Sequence, residues 1–181
     1  MKNNEYYIYA IELGKTPEYA TTYAIQRKLG KSHEFAKAYA YAIELGETHE
    51  YSTIYAIQRE LGKTVVYAWA FAEQLELGKT PGYARAYASA IGKGKTPEYA
   101  TTYAIQRELG KSRKFARTFA SAILRGDSYT FARLCAEQVD LGKSRKFART
   151  FASAILRGAS YTFATTYAQQ KETVEIKNDK I

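Results

Sequence analysis

Eleven lysine and arginine residues face only three acidic ones between Lys111 and Arg157, the densest chemical signal in the chain. The two richest segments are Lys111, Ser112, Arg113, Lys114 with Arg117, and Lys143, Ser144, Arg145, Lys146 with Arg149. Each reads as a helix start, where unbonded amides and basic side chains together would point at a phosphate or another anion. Without an anion the placement is locally unfavourable, because cations oppose the helix dipole at that end. Between and after these segments stand Arg125 with Tyr129 and Arg157 with Tyr161, an alternation of Arg and Tyr suited to stacking nucleic-acid bases. The competing reading is a solvated surface that was copied along with the fold, since no base-reading motif accompanies the charge.

The remaining reactive side chains support no catalysis. His33 and His49 are the only histidines and both fall in the first turn of consecutive helices, so they are expected at opposite edges, exposed, and not as a metal pair. Cys135 is the only cysteine and occupies a slot otherwise filled by an aromatic ring, which points to a packed thiol rather than a nucleophile. Glu18, Glu34, Glu50 and Glu98 recur near helix starts, where they complement the dipole. The recurrent GKT and GKS tripeptides lack the glycine-rich lead of a phosphate loop and read as turns and caps. The expectation is therefore a protein that is not an enzyme, with no catalytic residue, metal ligand or cofactor. Trp69, in the apolar run YAWAFA, is either a protein-contact hot spot or part of a broader buried face.

The elements that hold these residues follow a sixteen-residue clock. Glycines stand at 14, 30, 46, 62, 78, 94, 110, 126, 142 and 158, each followed two residues later by Thr or Ser. With Gly as position 1, it ends one helix in the left-handed region and the hydroxyl at position 3 caps the next. Pro at position 4 in three units (Pro17, Pro81, Pro97) fits the first helical residue. Helix is expected from position 4 to about position 15. Position 6 is Tyr or Phe in all ten units, position 10 is aromatic in nine, position 11 is Ala throughout and position 7 is Ala in nine. These positions share one helical face, so large rings and alanines form a repeating core stripe. Short connections make successive helices antiparallel.

Position 13 suggests a longer period, because Gln and Ala alternate there from Gln74 onward, giving 32-residue helix pairs. Gln58 and Gln74 follow each other, so either the single helix is the structural unit or the alternation slips there, and the slip is the preferred reading. The prediction is an all-α solenoid of about eleven short helices in one domain, residues 1–173, with a fraying polar tail over 174–181. The glycine, alanine and tyrosine spacing of every unit resembles half of a tetratricopeptide or Sel1-type repeat, whose partner helix differs. That resemblance implies a right-handed superhelix with a concave ligand face.

Charge and composition bound the partners. Residues 1–93 carry 11 basic and 10 acidic side chains, whereas residues 94–181 carry 16 and 8, so any electrostatic role belongs to the second half. No apolar run is long enough for a membrane span and the start MKNNEYYIYA lacks a signal-peptide pattern, so a soluble intracellular protein is expected. The expected partner is a protein or peptide; RNA or DNA is the alternative, and end-to-end self-association of the array is the third reading.

Overall fold

A computed structural model describes residues 4–178, with side chains described up to residue 173. Eleven α-helices and no strand occur among the described residues. They are α1 (Glu5–Glu12), α2 (Pro17–Lys28), α3 (His33–Glu44), α4 (His49–Glu60), α5 (Val65–Glu76), α6 (Pro81–Ile91), α7 (Pro97–Glu108), α8 (Arg113–Leu124), α9 (Tyr129–Asp140), α10 (Arg145–Leu156) and α11 (Tyr161–Asn178). Within each of two compact units, Met1–Lys95 and Thr96–Ile181, consecutive helices pack against each other. The chain is thus an array of short helices whose contacts gather into these two units. The boundary follows α6, which ends a residue early at Ile91, before Gly92, and is the shortest of the full repeat helices.

The punctuation works as the spacing predicts. At the first unit Gly14 has φ +74°, its N–H bonds to the carbonyl of Ile11, and the Lys15 N–H reaches back to Ala10. This pair of bonds satisfies two carbonyls that the helix end would otherwise leave open. The Thr16 hydroxyl then accepts from the Tyr19 N–H (3.2 Å), starting α2. The same hydroxyl donates to Glu44 at the far end of α3. Equivalent bonds run from Ser32 to Glu60, Thr48 to Glu76 (3.1 Å) and Ser112 to Asp140. Each ties the start of one helix to the end of the next, so neighbours are antiparallel. A carboxylate that would oppose the dipole of its own helix instead faces the positive end of its neighbour.

The core is a one-way contact. Within each unit, the rings at positions 6 and 10 of one helix lie on the small residues at positions 7 and 11 of the helix that follows it. Tyr19 and Tyr23 meet Ala36 and Ala40, Tyr51 and Tyr55 meet Ala68 and Ala72, and Phe115 and Phe119 meet Ala132 and Ala136. Phe147 and Phe151 meet Ala164 and Ala168 in the same way. Alanine leaves room for the two backbones to approach, and each ring so covered contributes about 1.5–3 kcal/mol. The contact is the same between α4 and α5, where the Gln58–Gln74 slip falls, so the slip leaves no break in packing. Sixteen residues are the packing step, and the alternation at position 13 is laid over it.

The last helix departs from expectation. It runs through to Asn178, where a fraying tail was predicted from residue 174. The clock would place its next glycine at 174, but Val174 stands there, and no left-handed residue stops the helix. The tail's final residues, 179–181, lie outside the described residues. No further helix covers α11 among the described residues, and Phe163 and Tyr167 on it are 59% and 38% exposed.

Candidate ligand-binding surface

The basic starts of α8 and α10 lie on one edge of the second unit. Both helices pack on α9 and run opposite to it, so their first turns flank its C-terminal end. The dipole penalty anticipated from sequence is therefore relieved inside the protein, because the negative end of α9 lies between these cations. Arg113, Lys114, Arg117 and Arg145 are exposed, and Lys146 is half-buried.

Not every cation of the segment belongs to a special patch. Lys111 sits over the Phe115 ring at 5.3 Å and Lys143 over Phe147 at 5.2 Å. Lys15, Lys31, Lys63 and Lys79 make the same contact with the ring of their own unit. The lysine after each of these glycines is thus a lid on the core ring, held by its charge on the π face. Arg149 lies 5.3 Å over Phe131 and 3.6 Å from Asp127, which also holds Arg125 at 2.9 Å. These two arginines are partly neutralised.

The second edge is likewise built into the packing. Tyr129 stands edge-to-face with Phe119 (5.2 Å) and Tyr161 with Phe151 (5.1 Å), while both tyrosines stay more than half exposed. Arg157 is exposed at the end of α10. The first-turn residue of one helix thus covers the position-10 ring of the helix before it. The histidines obey the same geometry. His33 Nδ1 shares a hydrogen bond with the Tyr23 hydroxyl (2.8 Å), and His49 Nδ1 with the Tyr39 hydroxyl (2.6 Å). Both are exposed, as expected, and each serves a buried phenol ten residues earlier. Sequence reading missed that service, although the constant spacing of ten was there to find it.

Trp69 is half-buried, with its ring 5.2 Å from Tyr51 and 4.7 Å from Tyr55. Its backbone carbonyl accepts from the Tyr51 hydroxyl at 3.2 Å. This packing extends the buried face of α5, while the half of the ring left exposed still offers a contact surface. Cys135 is buried, its Sγ donates to the carbonyl of Ala148 at 3.5 Å, and burial pushes the thiol up to about 11. A thiol so protonated at neutral pH is a poor nucleophile. Glu98 is held below the usual carboxylate range by its own backbone N–H and by the Thr96 hydroxyl, as a first-turn acid should be.

No helix among the described residues is long and apolar enough to cross a membrane. No protein-family model matches the chain, and no curated protein is similar to it. The likeness to tetratricopeptide and Sel1-type repeats accordingly stays at the level of helix spacing.

Proposed function

We propose that this chain is a non-enzymatic, intracellular repeat scaffold that binds a protein or peptide. The observation that carries this reading is a row of apolar side chains left exposed over a fully packed core. Ile25 on α2 and Ile57 on α4 are 39% and 41% exposed, and the helix-end residues Leu29 and Leu61 beside them are more exposed still. Both helices flank α3 and run in the same direction, so the row repeats along one face of the first unit. Apolar anchors presented at a fixed spacing suit recognition of an extended or helical segment. Panning a peptide-display library on the full chain tests this. Enrichment of peptides with apolar anchors is expected, with affinity falling roughly tenfold or more on changing Ile25 and Ile57 to Ser. Selection of no sequence family, or affinity indifferent to the double change, would sink the reading.

A second reading rests on Arg113, Lys114, Arg117 and Arg145, exposed together on one edge of the second unit. They favour sequence-tolerant binding of a nucleic acid or another polyanion. Affinity for a single-stranded oligonucleotide is then expected to fall by roughly 10³ between about 50 and 200 mM salt if about six phosphates are contacted. A flat salt response, or no loss on changing Arg113, Lys114, Arg145 and Lys146 to Ser, removes this reading.

A further inference from the structure

We propose that the space beneath Arg149, left where Cys135 replaces an aromatic ring, is a binding site for a single tetrahedral oxyanion of the phosphate class. Position 10 carries a ring in nine of ten units, and in α7 that ring is Tyr103. In α9 it is Cys135, and a cavity of about 80 Å³ opens above the thiol. Its walls are Thr118, Ser121 and Arg125 of α8 with Arg145 and Arg149 of α10. This volume equals roughly two to three water molecules at about 30 Å³ each. It is the size of one small oxyanion.

The donors come from the guanidinium groups. The Thr118 hydroxyl already donates to the Lys114 carbonyl (3.0 Å), Ser121 is hydrogen-bonded to Tyr99, and the Cys135 thiol is used by Ala148. Arg125 and Arg149 each turn one terminal nitrogen to Asp127, at 2.9 and 3.6 Å, which leaves their other N–H groups for a ligand. The Phe131 ring supports Arg149 from below. Arg145 forms no ion pair among the described residues. Three arginines against one aspartate leave an excess of two positive charges around the cavity. Planar guanidinium forks converging on one cavity are the groups that bind phosphate oxygens in pairs. This inference does not depend on either reading of the larger surfaces.

The test is calorimetric titration of inorganic phosphate into the full chain and into two variants, Cys135→Phe and Arg145→Ser. Cys135→Phe restores the ring of the other units and fills the cavity. The wild-type chain is expected to bind phosphate saturably, and each change to weaken binding roughly tenfold or more. Melting temperature of Cys135→Phe at or above wild type would show that the loss is not unfolding. Phosphate affinity equal in the wild type and a folded Cys135→Phe chain overturns the proposal. Should that variant not fold, unchanged affinity in Arg145→Ser overturns it instead. A second arm with O-phosphoserine separates the sources. Binding as tight as inorganic phosphate assigns the site to a phosphorylated side chain, and binding of phosphate alone assigns it to the free ion.

Discussion

Truncation of Phe147 to alanine is expected to destabilise the second unit by about 3–5 kcal/mol, the usual cost of removing a fully packed aromatic ring. Phe147 is 1% exposed, stacks on Phe151 at 6.2 Å and is covered by Ala164 and Ala168 of the next helix. A loss of this size is a large fraction of the 5–15 kcal/mol typical of a whole domain. It falls on the α10–α11 contact, and an array with only nearest-neighbour contacts gives that helix no other support. Hydrogen exchange should therefore show α11 losing protection first. Phe163→Ala provides the control, because this ring has the same position in its unit and the same stacked partner geometry but no alanines over it. Urea denaturation should register less than about 1 kcal/mol for it. Equal losses for the two variants would show that ring-on-alanine contact is not what holds the array.

Alkali should dismantle the two units in order, the first before the second. Burial raises the phenols of Tyr19, Tyr23, Tyr39, Tyr51, Tyr55 and Tyr67 in the first unit, Tyr19 to about 12 and Tyr51 beyond it. In the second unit burial raises Tyr99 in the same way, and most of the other inner rings there are phenylalanines, which carry no proton to lose. A phenol is neutral when protonated, so these groups leave stability unchanged below pH 10, where both states keep the proton. Above pH 10 the unfolded chain ionises first, and stability falls as pH rises through 12. The two-unit gap at Tyr19 corresponds to about 3 kcal/mol when fully developed. Hydroxyls near the array edge are partly screened and retain a fraction of that. Several such terms together exceed what one small unit holds in reserve. The Cys135 thiol adds one term of the same sign to the second unit, setting in above pH 9. Circular dichroism and tyrosinate absorbance followed against pH should show a cooperative first loss of helix with phenolate appearing in step. Smooth titration of all the tyrosines with helix intact past pH 12 would refute the burial assigned to these hydroxyls.

The helices were legible because their signals are local. Gly14 in the left-handed region and the Thr16 cap each depend on a few bonds within one turn, and the predicted span from position 4 to position 15 is α2, Pro17 to Lys28. The core stripe followed from helical periodicity alone. What crosses between helices was not legible in the same way. The Ser112–Asp140 bond joins residues 28 apart, a spacing that has meaning only once the next helix is known to be antiparallel. The cavity above Cys135 depends on what Arg145 and Arg149 of another helix do with the vacated volume. Even the continuation of α11 past residue 174 was a local question, answered by Val174 in the slot where the stop residue belongs.

The ring-on-alanine contact gives the array a direction, like a stack of cups in which each rim receives the next base. Rings face forward along the chain and alanines face back, so a segment copied in tandem always finds a matching surface, whereas one set in reverse would bring ring against ring. Folding thus tolerates the addition of any single helix. Surface chemistry is stricter, because one added helix turns every later helix start to the opposite edge. The segment from Gly110 to Gly126 recurs unchanged from Gly142 to Gly158, two helices on, and its basic start returns to the same side. Duplication in this chain has a packing step of one helix and a surface step of two.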